Sequence, residues 1–73
     1  MQPIYARLGA NLLRLLKLKN YTAERLAYEA DVDKGNLSRV MAGKQGASMG
    51  LLQKLADTLE VDVEEFFKKP KRS

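Results

Sequence analysis

The chain has 73 residues and a formal net charge of +4, which is enough for one domain and too little for two. It contains no cysteine and no histidine, so disulfides, thiolate metal sites and every catalytic arrangement built on those side chains are excluded. A zinc site would need carboxylates alone, so neither a metal nor a cofactor is expected.

Helical spacing of Leu8, Leu12, Leu15 and Leu16 predicts a first helix from about Tyr5 to Lys19, stopped at Asn20. Thr22 is placed to cap a second helix from Ala23 to about Ala30, with Leu26, Ala27 and Ala30 inward. Asp33 caps a third that turns Leu37, Val40 and Met41 inward and is closed by Gly43 in a left-handed conformation. A loop of Lys44-Gln45-Gly46-Ala47 leads to Ser48, the cap of a fourth helix carrying Leu51, Leu52, Leu55, Ala56 and Leu59. Asp62 followed by Glu65 resembles a capping box and predicts a last short helix holding Phe66 and Phe67. No segment alternates with period two, so the expected architecture is all-α, a five-helix domain over residues 1–67. The basic tail 68–73 is expected to be disordered.

Charge is distributed unevenly along these elements. Arg7, Arg14, Lys17 and Lys19 share the first segment with no acid, and Lys34, Arg39 and Lys44 form a second acid-free stretch. Asp57, Glu60, Asp62, Glu64 and Glu65 make the later part acidic. Such a dipolar molecule suits a polyanion on one face. No apolar run reaches bilayer length, and Met1-Gln2-Pro3-Ile4-Tyr5 lacks the charged-then-apolar order of a signal peptide. A soluble, cytoplasmic protein with no membrane partner is expected.

Residues 23–42 meet the steric demands of a helix-turn-helix. A small residue, Ala27, stands where two helices must cross; Asp31 stands at the turn, where positive φ is needed; Val32, Leu37 and Val40 lock the second helix on the first. In this register the chain resembles the Cro and phage-repressor (XRE-like) family from about Leu8 to Phe67. The resemblance rests on Leu26-Ala27, the run from Val32 to Val40, Gly43, and Leu51, Leu55, Ala56, Leu59, Val61 and Phe66. Three departures stand out. Asp31 replaces a usual glycine, and Asp tolerates the left-handed region better than most residues. Leu16 and Met41 occupy the places of a frequent Arg–Glu pair, so an apolar contact replaces an ion pair without leaving a lone buried charge. Gly35 stands where the family often uses a base-contacting side chain.

The resemblance implies a regulator of transcription that binds double-stranded DNA, most simply a bacterial, plasmid or phage repressor on an inverted-repeat operator. In this class the second motif helix enters the major groove. Base contacts are then expected from Lys34, Asn36, Ser38 and Arg39, with arginine suited to guanine and asparagine to adenine. Phosphate contacts are expected from Thr22 and Ala23 at a helix N-terminus, and from Lys44, Gln45, Ser48, Lys17 and Lys19. Phe66 and Phe67 point about a third of a turn apart, and Phe66 matches the family's core position. Because related proteins usually dimerise through this region, the resemblance implies that Phe67, with Val63 and Ile4, lies at a homodimer interface; the alternative is that Phe67 covers the open end of the small core. The rival reading is a protein-interaction module, antitoxin- or antirepressor-like, on the same scaffold. No nucleophile–base pair, phosphate loop or small-molecule site is apparent, so an enzyme is not expected.

Overall fold

A computed structural model describes residues 4–69; the predicted tail residues 70–73 lie outside the described part. Four α-helices follow one another: α1 (Ile4–Lys19), α2 (Ala23–Ala30), α3 (Lys34–Met41) and α4 (Met49–Leu59), then a 3-10 turn, Val63–Phe67. There is no strand among the described residues, and the fold is all-α as the periodicity predicts. No helix among these residues is long and apolar enough to cross a membrane.

The three predicted caps all form. The side chains of Thr22, Asp33 and Ser48 accept from the amides of Arg25 (3.1 Å), Asn36 (2.7 Å) and Leu51 (3.1 Å), each worth about 1 kcal/mol. The four helices also end alike. Asn20, Asp31, Gly43 and Glu60 hold positive φ, and the following amide reaches a carbonyl five residues back: Tyr21 to Leu16, Val32 to Ala27, Lys44 to Arg39 and Val61 to Ala56, at 2.8–3.0 Å. This is the Schellman arrangement, in which one left-handed residue satisfies the last carbonyls of a helix. Tyr21, Val32 and Val61 then pack against the core.

The predicted capping box at Asp62 does not form. Asp62 makes no side-chain cap bond, and the segment closes as a 3-10 turn rather than an α-helix. The physical reason is competition: the Glu65 amide that the Asp62 side chain would accept is donated to the Asp62 carbonyl at 3.0 Å, and the Glu65 carboxylate that should reach back is drawn to Lys68 Nζ at 3.0 Å and Arg14 Nη2 at 3.7 Å.

The core takes Leu8, Leu12, Leu15 and Leu16 from α1, Leu26, Ala27 and Ala30 from α2, Leu37 and Val40 from α3, Leu52, Leu55, Ala56 and Leu59 from α4, and Phe66. Burying each large side chain contributes about 1.5–3 kcal/mol relative to exposure. Met41 and Leu51, predicted inward, lie at its margin, partly buried. Helix α1 packs on α3 and on the C-terminal turn, and α2 packs on both α3 and α4. Helix α3 is thereby held from behind by two helices, leaving one long face outward.

Candidate nucleic-acid interface

The outward face of α3 follows from its sequence. Leu37 and Val40 are buried, so Lys34, Gly35, Ser38 and Arg39 are exposed and Asn36 is half-buried beside them. Asp31 holds the turn before α3 in the left-handed region at φ 58°, and Val32 packs against the core. Ala27 is 5% exposed, a small buried residue on the helix that packs on α3. Leu16 is buried and Met41 partly buried against the core, an apolar setting consistent with the absence of charge at both positions.

The four residues expected to meet bases therefore share one helix face or its edge. Lys34 Nζ lies 4.0 Å from Glu24 Oε1 in the first turn of α2, with both side chains mostly exposed. Arg39 and Asn36 are joined through Gln45: Arg39 Nε donates to Gln45 Oε1 at 3.0 Å, and Gln45 Nε2 donates to Asn36 Oδ1. The half-buried Gln45 side chain is thus turned back onto α3.

The residues expected at phosphates are more dispersed. Thr22 and Ser48 already accept a capping amide through their hydroxyl oxygens, yet each hydroxyl keeps a hydrogen to donate. The first amides of α2, at Ala23 and Glu24, are ones a helix cannot satisfy by itself. Lys44 is exposed in the loop after α3, and Lys17 and Lys19 are exposed in the last turn of α1. Asp57, Glu60, Asp62 and Glu65 line one groove with Ala56 and Val61, which gathers the acids of the later segment together.

Of the three dimer candidates, two come together. Ile4 and Phe67 line one groove with Tyr5, Leu8, Gly46, Ala47 and Leu52; Val63 does not line it. Ile4 is 51% exposed, whereas Phe67 is partly buried against the core.

Sequence reasoning missed several supports of this surface. Gly9 lies where α1 meets α3, and a Cβ there would stand 2.4 Å from the Met41 carbonyl oxygen. Asn11 is buried among leucines. A glycine and an asparagine inside an apolar stripe were the available signals. Tyr21, Arg25 and Glu29 form a brace on α2: Tyr21 Oη donates to Glu29 at 2.7 Å, Arg25 Nε donates to it at 2.8 Å, and the guanidinium lies 4.2 Å from the Tyr21 ring centroid. The hydrogen bonds from Arg25 and then Tyr21 hold the Glu29 carboxyl below its usual range. The same bond to Glu29 raises the Tyr21 hydroxyl above its ordinary value. The i, i+4 spacing of Arg25 and Glu29 was the legible part of this brace.

Residues 11–71 match the family of Cro/C1-type helix-turn-helix DNA-binding domains. Among solved structures, the restriction-modification controller protein C.AhdI from Aeromonas hydrophila is similar at 27% identity and a TM-score of 0.81, over 86% of this chain and 96% of that one. A hypothetical transcription factor from Neisseria, NHTF, has the same fold at a TM-score of 0.86 and 23% identity, over 94% of this chain and 79% of that one. No curated protein gives a significant match.

Proposed function

Because the chain belongs to the Cro/C1-type helix-turn-helix family of DNA-binding domains, and is thus a DNA-binding regulator rather than an enzyme, we propose that it acts as a cytoplasmic bacterial, plasmid or phage repressor that binds an inverted-repeat operator as a homodimer. The observation that carries this reading is the outward face of α3. It presents Lys34, Ser38 and Arg39, with Asn36 at its edge, while Leu37 and Val40 anchor its other side in the core.

In this reading α3 enters the major groove. Arg39 and Lys34 contribute most to base recognition, followed by Asn36 and Ser38. Thr22, Ala23, Lys44 and Ser48 grip phosphate on either side, with Lys17 and Lys19 adding charge at the end of α1 and Gln45 closing the loop; such contacts set register without reading sequence. Residues 1–67 constitute the DNA-binding domain and 68–73 a basic extension. The exposed Ile4 and the groove it shares with Phe67 meet the same surface of a second copy, and Val63, outside that groove, joins the interface from the C-terminal turn. Two half-sites about one helical turn apart follow from that symmetry.

The test is selection of random-sequence duplexes by the purified protein at physiological salt. An enriched inverted repeat supports the dimeric operator reading, and a single half-site retains DNA binding but removes the dimer. No enrichment transfers the scaffold to a protein partner. Phe67→Glu should leave a folded monomer by sedimentation with weaker operator binding. A dimer undisturbed by that change places the interface elsewhere.

A further inference from the structure

Gln45 lies beyond the helix-turn-helix, on the far side of the Gly43 turn, yet its amide group joins Asn36 and Arg39. The polarity of this chain is fixed by elimination. A guanidinium has donors and no acceptor, so Gln45 must present its oxygen to Arg39 Nε. Its NH2 then faces Asn36, which must answer with Oδ1 and turn its own NH2 away. The loop is held for this role because the Lys44 amide bonds to the Arg39 carbonyl at 3.0 Å. Asn36 and Arg39, three residues apart, lie on one side of α3.

Gly35 supplies an independent part of the same arrangement. A Cβ at Gly35 would lie 3.5 Å from Arg39 Nη1 and 3.2 Å from Asp33 Oδ2. The guanidinium is therefore folded back over the glycine, toward the N-terminal end of α3. A terminal guanidinium nitrogen of the arginine one turn later thus rests at ordinary contact distance from the glycine's open side.

Resting on the reading of α3 as the groove-facing helix, we propose that Gln45 is a positioning residue that determines operator specificity by making Arg39 and Asn36 one reading unit. With Nε engaged, Arg39 keeps its two terminal nitrogens as a parallel fork for two acceptors, the pattern that guanine offers in the major groove. Asn36, its oxygen shared with Gln45, meets the DNA as a donor. It selects a base with an outward acceptor, such as purine N7 or thymine O4, and disfavours cytosine, whose N4 is a donor.

The experiment is duplex selection with the full chain and its Gln45→Ala and Gln45→Glu variants, with Lys44→Ala as the phosphate-contact control and circular dichroism to confirm folding. For Gln45→Ala the expected result is preference relaxed by roughly tenfold at two base positions of each half-site together, with affinity for random duplex unchanged. Gln45→Glu retains an acceptor for Arg39 but has no donor for Asn36, so Asn36 must turn its amide over. The guanine preference should persist while the preference at the Asn36 position changes from an acceptor-bearing to a donor-bearing base. In the free protein, the Arg39 Nε proton should give a slowly exchanging NMR signal that Gln45→Ala abolishes. An unchanged signal overturns the proposal, as does a uniform loss on all sequences with unaltered preference, which would place Gln45 on a phosphate. Absence of enrichment by the unsubstituted protein overturns the DNA reading itself and this inference with it.

Discussion

Asn11 holds Phe66 by its main chain: the Asn11 side-chain amide donates to the Phe66 carbonyl at 2.8 Å across 55 residues of sequence, and its second hydrogen goes to the Lys68 carbonyl at 2.9 Å. Because Asn11 is only 5% exposed, both bonds are made where water does not compete fully. They fix the 3-10 turn against α1 and so keep the Phe66 ring seated in the core. Asn11→Leu keeps the volume but orphans two carbonyls, and should cost about 1–3 kcal/mol. Urea denaturation measures this directly. An unchanged midpoint would mean that the C-terminal turn is held by the Phe66 ring alone.

Gly9 sets how closely α1 approaches α3. An added Cβ would lie 2.4 Å from the Met41 carbonyl oxygen and 3.1 Å from that of Val40, and backbone atoms cannot swing aside as a flexible side chain does. Alanine is the better helix former by about 1 kcal/mol, yet Gly9→Ala should lose about 1–3 kcal/mol because the helices must part. Operator affinity should fall with it, since α3 carries the face proposed to read DNA. A rise in melting temperature would show that the crossing yields cheaply.

The parts of this molecule that were legible in the sequence are those governed by local rules. Thr22, Asp33 and Ser48 are capping residues beside apolar periodicity, and the core leucines repeat at helical spacing, so both could be read along the chain. Asp31 was legible because the motif demands a left-handed residue there. Asn11 was not, since its partners are Phe66 and Lys68, and only the folded chain brings them within reach. Gln45 reads along the chain only as a polar loop residue suited to a phosphate; the Gly43 turn before it was legible, but the side-chain bonds that join Gln45 to Arg39 and Asn36 exist only once the loop is folded against α3. The Asp62–Glu65 pair failed for a related reason: Lys68 and Arg14, one near in sequence and one distant, both draw the Glu65 carboxylate.

Three of the four left-handed helix ends are not glycine, and Glu60 is the one with no local reason to be there. At φ 59° and ψ 48° its Cβ is strained against its own backbone. Glu60→Gly should therefore raise stability by about 0.5–1 kcal/mol, even after the added freedom of the unfolded chain is allowed for. Glu60→Gln separates this gain from relief of repulsion by Asp57, Asp62 and Glu65, which line the same groove. The reverse change at a matching site, Gly43→Ala, should cost about 1–2 kcal/mol. Equal thermal midpoints for Glu60→Gly and Glu60→Gln would assign any gain to charge rather than backbone.

The Tyr21–Arg25–Glu29 brace gives stability a dependence on pH at both ends. The folded-state pKa of Glu29 is lowered, chiefly by the Arg25 hydrogen bond. Its contribution is complete above the ordinary glutamate value of about 4.3 and is lost as pH falls through the depressed one. Tyr21 is raised by its bond to Glu29, so its contribution holds below the ordinary tyrosine value and is lost as pH rises through the raised one. Glu29→Gln should flatten both limbs of the stability curve, and the two proteins should converge in acid. Parallel curves would show that the brace is present but energetically idle.

Glu24 is the one acid in the first turn of α2, where a phosphate is proposed to sit, and it also lies 4.0 Å from Lys34. As an exposed pair it contributes at most about 1 kcal/mol to the fold, and an acid at a helix N-terminus contributes about 0.3–1 kcal/mol. Against DNA the same charge acts in the wrong direction twice, by repelling the phosphate and by holding Lys34 away from the groove. Glu24→Gln should therefore slightly destabilise the free protein while tightening operator binding by about two- to fivefold at low salt, a gain that shrinks as screening grows. Titration of the operator across a salt series measures both the gain and its decline. Equal affinity at every salt concentration would move the phosphate away from the α2 N-terminus and leave Lys34 outside the interface, with α3 then entering the groove tilted toward Arg39 and Gln45.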